Sequence, residues 1–267
     1  MTSINVVVHG VLGKMGQEVL NAVTLEKGLI PVGAADELAS ATSISLPNSK
    51  NSIPLSKKLS DVIEHSNVII DFSRSDGAMS VLRTAAPAKV NVVIGTTGLS
   101  EDDFQEAKKL ADTYEIGVVI APNLAVGAVL MMHLANISAK YFDYADLTEM
   151  HSEGKLDSPS GTAISIAKAA ALGRGKPFIC PSSNKELISR TRGGEQDGIS
   201  IHSTRMQGRV AHHNLIFGGL GQTLTIQHDS ISRESFMPGV ILAVKEVVKT
   251  PGLIVGLEKI LGLYIIS

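Results

Sequence analysis

The sequence predicts an α/β chain in two domains: a doubly wound parallel sheet first, a mixed α+β domain second, and C-terminal helices that return to the first. Three observations carry this. Short apolar, β-branched runs alternate with helix-period segments as far as Ile120, the pattern changes after Pro122-Asn123, and a helical period resumes at Phe236. The 267 residues exceed one ordinary core of about 100–150 residues and fall short of three. A hydrophobic fraction of 44% against 19% charged gives enough apolar surface for burial alone to drive folding.

Taken in order, Ile4 to His9 reads as a buried parallel strand ending at Gly10, and Val11 to Leu25 has helical spacing. Strand Leu29–Ala35 follows. Residues Ala39 to Lys58, rich in Ser, Asn and Pro, read as a surface excursion without a period. The alternation resumes with Val68–Phe72, helical Ala78–Ala86, Val90–Ile94, helical Glu101–Tyr114 and Val118–Ile120. The second domain opens on a long apolar helix, Gly127 to Lys140, then a glycine-containing loop and a helix from Gly161 to Leu172. Segments Gly198–Arg205, Val210–Phe217 and Gln222–His228 alternate polar and apolar residues and read as antiparallel strands. Helical Phe236–Val248 and a short final helix, Leu253 to Leu261, close the chain. The expected boundaries place 1–123 and 236–267 in a dinucleotide-binding domain and 124–235 in a substrate-binding and oligomerisation domain.

Charge and cysteine content narrow the function. Lysine and arginine number 24 against 26 acids, a net charge of −2, and no basic run is long enough to follow a phosphate backbone, so nucleic acid is not expected as a partner. One cysteine, Cys180, excludes an internal disulfide framework and a multi-cysteine metal site and suits a reducing compartment. The N-terminus lacks a basic n-region, and no apolar stretch approaches the roughly 20 residues of a spanning helix. A cytoplasmic protein without a membrane anchor is expected.

Gly10, Gly13 and Gly16 form Gly-x-x-Gly-x-x-Gly between a strand and a helix, where absent Cβ atoms and the unpaired amides of a helix start admit a pyrophosphate. Asp36 lies 20 residues past Gly16, at the end of the second strand, where a carboxylate can accept from an adenosine ribose; Glu37 is the competing acid. A strand, glycine turn, helix, strand and acid in this order mark a Rossmann-type domain. Asp71-Phe72-Ser73-Arg74 and Gly95-Thr96-Thr97-Gly98 fall at other strand ends of the same sheet and would line the nicotinamide side.

The richest stretch runs from Glu149 through Met150, His151 and Ser152 to Lys155, Asp157, Pro159, Ser160, Gly161, Thr162 and Ala163. His151 and Lys155 can exchange or donate protons, and Ser160-Gly161-Thr162 opens a helix whose amides can bind a carboxylate. A site for a small anionic substrate is the reading; a capped helix with a solvated lysine is the plain alternative.

On these residues the chain resembles the 4-hydroxy-tetrahydrodipicolinate reductase (dihydrodipicolinate reductase) family. That family's loop, Glu-x-His-His-x-x-Lys-x-Asp-x-Pro-Ser-Gly-Thr-Ala, is matched at Glu149, His151, Lys155, Asp157, Pro159, Ser160, Gly161, Thr162 and Ala163. The likeness extends to Gly95-Thr96-Thr97-Gly98, Ala121-Pro122-Asn123, His202-Ser203-Thr204-Arg205, Gly208, Ala211-His212, Phe217-Gly218 and Arg233-x-Ser235-Phe236, nearly the whole chain. It implies reduction of 4-hydroxy-tetrahydrodipicolinate to tetrahydrodipicolinate in the diaminopimelate route of lysine biosynthesis. It further implies His151 as general acid/base, Lys155 as proton donor, and Gly161 with Thr162, beside Ser160, on a substrate carboxylate. Gly10, Val11, Leu12, Gly13, Lys14 and Met15 would hold the pyrophosphate, Asp36 or Glu37 the ribose, and Gly95, Thr96, Thr97, Ala121, Pro122, Asn123 and Leu124 the nicotinamide end. Family members are generally homotetramers built through the second domain. The chain departs from the pattern where Ser152 replaces the family's second histidine, a substrate contact, and where Glu153 and Gly154 replace basic residues.

Cofactor choice follows from local charge: Leu38-Ala39-Ser40, not a cation, follows Asp36-Glu37, so both NADH and NADPH are expected with NADH preferred, and Lys14 is the one basic residue offered to a 2′-phosphate. No metal is expected from His202, His212, His213 and His228, since adjacent His212 and His213 point to opposite faces of a strand and no carboxylate or cysteine spacing completes a ligand set. The competing readings are another two-domain NAD(P)-dependent oxidoreductase of amino or keto acids and a dinucleotide-sensing homologue without turnover.

Overall fold

The structure, a computed structural model, describes residues 3–181 and 185–263. Its first unit begins with β1 (Ile4–His9), α1 (Lys14–Leu25), β2 (Leu29–Ala35), β3 (Ser43–Ser45), β4 (Ser52–Ser56), β5 (Val68–Asp71), α2 (Ser75–Ala85), β6 (Asn91–Ile94), α3 (Glu101–Tyr114) and β7 (Gly117–Ile120). A second unit, Ala125–Ser235, holds α4 (Val126–Ala139), β8 (Tyr144–His151), α5 (Gly161–Arg174), β9 (Gly194–Gln196), β10 (Ile199–Arg205), β11 (Ala211–Gly219) and β12 (Gln222–Ser230). The chain then rejoins the first unit over Phe236–Leu261 with α6 (Met237–Val247), β13 (Gly252–Val255) and α7 (Leu257–Ile260). Gly262 and Leu263, expected with the first unit, group with the second.

Among the described residues the first unit's sheet has eight strands in the order β13-β7-β6-β5-β1-β2-β4-β3, all parallel except β3 against β4. The period of two explains its burial on both faces. Val7, Ile69, Val92, Ile94, Val118 and Ile120 pack on Leu82 and Ala85 of α2 and Ala107 and Ala111 of α3. The intervening Val6, Val8, Ile70, Val93 and Val119 are equally buried. Burial of both faces is what makes these strands near-continuous apolar runs.

Two expectations need correction here. The polar excursion of residues 39–58 contains β3 and β4, and β4 pairs in parallel with β2. Only Ile53 and Leu55 of β4 are turned inward, so two buried side chains in a Ser- and Pro-rich stretch give too weak a period to read. Residues from Leu253 begin as β13, paired with β7, before Gly256 (φ +89) turns the chain into the one-turn helix α7. A short apolar run carries no period that separates strand from helix.

In the second unit the sheet order is β12-β11-β8-β10-β9. The central strand, β8, lies in a stretch the sequence reading left unassigned, because Asp146 and Glu149 interrupt its apolar residues. β10 runs parallel to β8, not antiparallel as expected. The connection β8–α5–β10 crosses over through a helix, and such a crossover returns the chain in the same direction. Ala145, Leu147, Ile199, Ile201, Leu215 and Phe217 face α4 and α5, packing on Met131, Ala135, Ile166, Ala167 and Ala170.

Candidate active site

In the first unit the loops after β1, β2 and β5 surround a cleft of about 650 Å³ lined by Gly10, Gly13, Asp36, Glu37, Lys57, Lys58 and Arg74 among others. Gly10 adopts φ +73, and a Cβ there would come within 2.9 Å of the Phe72 carbonyl oxygen; a Cβ on Gly16 would lie 2.1 Å from the Gly10 carbonyl oxygen. Only glycine lets this turn approach its neighbours and start α1 so close to the strand. Asp36 is buried and braces the turn, accepting from the backbone N–H of Leu12 at 2.9 Å and of Leu38 at 3.0 Å. Fully buried Asp71 ties three strand ends together: it meets His9 Nδ1 at 2.6 Å and accepts from the hydroxyls of Ser73 at 2.7 Å and Thr96 at 2.9 Å. A glycine cradle, an acid at the second strand end and a cleft of this volume fit the nucleotide part of a dinucleotide.

In the second unit the helix-facing stripe of three strands changes character along its length. Register pairs Leu147 of β8 with Ile201 of β10 and Leu215 of β11, then Glu149 with Ser203 and His213, then His151 with Arg205 and Ala211. Because alternate residues share a face, polar groups take the positions where a core would otherwise continue. Glu149 has no exposed surface. One of its oxygens accepts from Arg205 at 2.8 Å and the other is in a short hydrogen bond with His151 Nδ1. Burial alone would raise its carboxyl, but hydrogen bonds from Arg205, Ser203 and His151 reverse that and hold it below the ordinary carboxylate range. With the carboxylate ionised, His151 carries its proton on Nδ1 and Nε2 is the open ring nitrogen. Burial pushes the His151 imidazole down, partly offset by Glu149 and reinforced by Lys155 and Arg205. His213 stands edge-on to His151 at 5.4 Å between ring centres, and its own pKa is lowered to about 4 by burial and by the neighbouring His151.

The loop after β8 brings Lys155 to the same end of the unit, with its ammonium 2.7 Å from Asp157 Oδ1. Arg205 also donates to the Asp157 carbonyl at 2.7 Å, which ties this loop to the sheet. Ser160 caps α5 by accepting from the Ala163 N–H at 3.1 Å and touches His213 Nε2 at 3.3 Å. Gly161 and Thr162 follow at the solvent-accessible start of α5, and a Cβ on Gly161 would meet open space. An anion can approach there with the helix dipole in its favour.

Of the residues picked out from sequence, Gly10, Gly13, Asp36 and Glu37 line the cleft, whereas Val11, Leu12, Lys14 and Met15 do not. Thr96 is buried with its hydroxyl committed to Asp71; Gly95 sits against the Phe72 ring, and exposed Thr97 adjoins it. Ala121 and Leu124 are buried, Pro122 is exposed and Asn123 half-buried at the end of β7, apart from the cleft lining. Ser152 is exposed, its carbonyl accepting from the Lys155 N–H, and Ser160 is a buried cap rather than an open hydroxyl. Arg74, expected at a strand end of this sheet, lines the cleft as well, whereas two cations there, Lys57 and Lys58, carry no sequence signal that links them to Asp36 and escaped the sequence reading. The roles of Glu149, Arg205 and His213 escaped it too. Their period-2 alignment with Leu147, Ile201 and Leu215 is the signal that could have found them. Glu149, His151 and His213 bring ligand-type atoms within 4.8 Å of one another. Both Glu149 oxygens are already engaged, one by a guanidinium that a metal cation would have to displace.

A parallel sheet with a glycine turn and an acid at adjoining strand ends, joined in one chain to a second unit with a buried acid–base cluster, defines a two-domain dinucleotide-dependent oxidoreductase. Family models described as dihydrodipicolinate reductase, N-terminus and C-terminus, match residues 4–124 and 127–261. A 4-hydroxy-tetrahydrodipicolinate reductase of Dehalococcoides mccartyi is 48% identical over 98% of this chain and all of its own length, and one of Moorella thermoacetica is 38% identical over 98% and 99%. A dipicolinate-bound dihydrodipicolinate reductase from Paenisporosarcina sp. superposes with a TM-score of 0.86 at 35% identity, covering 97% of this chain and 99% of the other. An amine dehydrogenase from Mycobacterium smegmatis, 15% identical with a TM-score of 0.67, shares the fold alone. The chain belongs to the dihydrodipicolinate reductase family.

The depressed pKa of His213 has a measurable consequence. Between pH 6.5 and about 4 the unfolded chain binds a proton at this residue that the folded chain does not, so its contribution to stability is complete above pH 6.5 and is lost as the pH falls through that window. The loss is about 3 kcal/mol at about 1.4 kcal/mol per pKa unit. Denaturant titrations of the protein and of His213→Gln across this range should show the variant without that part of the decline; parallel curves would place the His213 titration elsewhere.

Proposed function

We propose that the protein reduces 4-hydroxy-tetrahydrodipicolinate to tetrahydrodipicolinate with NAD(P)H in the diaminopimelate route to lysine, as its relatives' names indicate for them. The observation that carries this reading is the joint presence, at one end of the second unit, of His151 backed by Glu149, of Lys155, and of the solvent-accessible start of α5. A reduced nicotinamide, when bound, supplies the hydride. Gly10 and Gly13 give its pyrophosphate room, and Asp36 and Glu37 offer acceptors to its ribose hydroxyls. Lys155 delivers a proton as the substrate accepts hydride and its 4-hydroxyl departs as water, His151 exchanges protons through Nε2, and the α5 start at Gly161 and Thr162 orients a substrate carboxylate. Ser152, which cannot carry the charge of a histidine, offers a hydroxyl donor instead. The reading extends to a cytoplasmic homotetramer built through the second unit; Tyr144 and Ile216, exposed on the sheet face turned away from α4 and α5, support such an assembly. No helix among the described residues is long and apolar enough to cross a membrane.

The test is a coupled assay in which a synthase condenses pyruvate with aspartate semialdehyde and loss of the reduced-nicotinamide band is followed. Consumption that requires the condensed substrate is expected; cofactor binding without consumption would leave a dinucleotide-binding protein instead. His151→Gln and Lys155→Ala should each lower kcat by about 100-fold or more with cofactor affinity nearly unchanged. Wild-type turnover in both would reject the assignment.

For the cofactor we infer dual use with NADH preferred, because Asp36 and Glu37 oppose a 2′-phosphate. Lys57 and Lys58, for which no ion pair is found among the described residues, temper that preference, and they replace Lys14 as the cations offered to the phosphate. Arg74 is already engaged by Asp76 at 3.1 Å. Dissociation constants should favour NADH by less than about tenfold, or 1.4 kcal/mol, and the double change Lys57→Ala, Lys58→Ala should weaken NADPH and leave NADH unmoved. A tenfold preference for NADPH, or equal losses for both cofactors, would overturn this.

A further inference from the structure

We propose that Glu149 and Arg205 form a positioning pair for His151: the carboxylate fixes the ring with its Nδ1 proton inward, and the guanidinium, by sharing that carboxylate, keeps the imidazole from being held permanently protonated. The inference rests on the reading of His151 as the proton-exchanging residue and deepens it.

The geometry separates two jobs. A carboxylate hydrogen-bonded to Nδ1 orients an imidazole and makes Nε2 the atom that takes and gives protons. A lone carboxylate buried beside an imidazole, however, would favour the ion pair so strongly that the ring could no longer cycle. Arg205 removes that bias. It reaches the other oxygen of Glu149 at 2.8 Å from the neighbouring parallel strand, in register with His151. Glu149 and Arg205 then cancel, and the cluster is neutral with a neutral ring and carries one charge with a protonated one. The second contact of Arg205, to the Asp157 carbonyl at 2.7 Å, fixes the loop that carries Lys155, so one guanidinium positions both proton-handling residues.

The charged and titratable groups around the ring are few. Glu149 lies on its own strand, Arg205 on β10, His213 on β11 and Lys155 in the following loop; α5 begins there with neutral Ser160. Lys155 and Arg205 oppose a proton on His151, Glu149 favours one, and His213 stays neutral over the working range because burial lowers its pKa to about 4. Removing Glu149 or removing Arg205 must therefore shift His151 in opposite directions.

The experiment is an NMR titration of the His151 ring in the full-length protein and in Glu149→Gln and Arg205→Met, with the pH profile of kcat/KM measured on the same samples. The midpoint should fall by about one unit or more in Glu149→Gln and rise in Arg205→Met, by the usual effect of adding or removing a close opposite charge. The His151-controlled limb of the rate profile should follow, and kcat should fall about tenfold or more in each variant. Either single change strands a buried charge, so the double variant Glu149→Gln, Arg205→Met, which strands none, secures a folded sample. It should keep its melting transition and still lose turnover. Shifts in one direction for both variants, unmoved midpoints, or wild-type turnover in the double variant would overturn the pairing. The midpoints need no substrate, so a wild-type protein that fails in the coupled assay while the opposed shifts appear would refute the proposed reaction and leave this inference standing.

Discussion

An ionised carboxylate without any exposed surface, at the centre of a five-stranded sheet, is the constraint around which the second unit is arranged. Removing Glu149 from water would cost several kcal/mol were its oxygens not both engaged. His151 engages one from its own strand, and Arg205 engages the other only with β10 beside β8 in its present register, since a slip of one residue would turn the Arg205 side chain to the opposite face. The crossover helix α5 supplies that direction, and its capping serine, Ser160, reaches His213 on the third strand. Sheet order, helix start and the loop after β8 thus converge on one charge.

The first unit uses interior acids in a related way. Asp71 binds together the ends of β1, β5 and β6 through His9, Ser73 and Thr96, and Asp36 holds the glycine turn to the end of β2. Each carboxylate spends hydrogen bonds on loop geometry, and Asp36 keeps lone pairs for a further donor such as a ribose hydroxyl. Loops held this way from a packed sheet form a rigid, polar rim, which a nucleotide site requires.

Much of this was legible in the amino-acid order. Doubly buried parallel strands such as Ile4–His9 and Leu29–Ala35 announce themselves as β-branched runs, and helix α3 by its helical period over Glu101–Tyr114. His151 and Lys155 stood out as proton-handling types in one loop. β4 and β13 did not read, because β4 buries only Ile53 and Leu55 and β13 only half-buries its residues, and β8 did not because its inward stripe passes from Leu147 to the charged Glu149. Polar residues at core positions break the alternation on which sequence reading depends. The cations Lys57 and Lys58 were hidden for another reason: a cleft gathers residues by topology, and β4 lies beside β2 only once the sheet has formed.

The central claim is that the buried carboxylate fixes His151 in one tautomer, with the proton on Nδ1 and Nε2 left open for chemistry. Nitrogen-15 NMR of ring-labelled protein at neutral pH reads this directly, because protonated and unprotonated ring nitrogens resonate far apart. The account predicts a protonated Nδ1 and an unprotonated Nε2 for His151. A ring with its proton on Nε2, or an even mixture of the two tautomers, would contradict it.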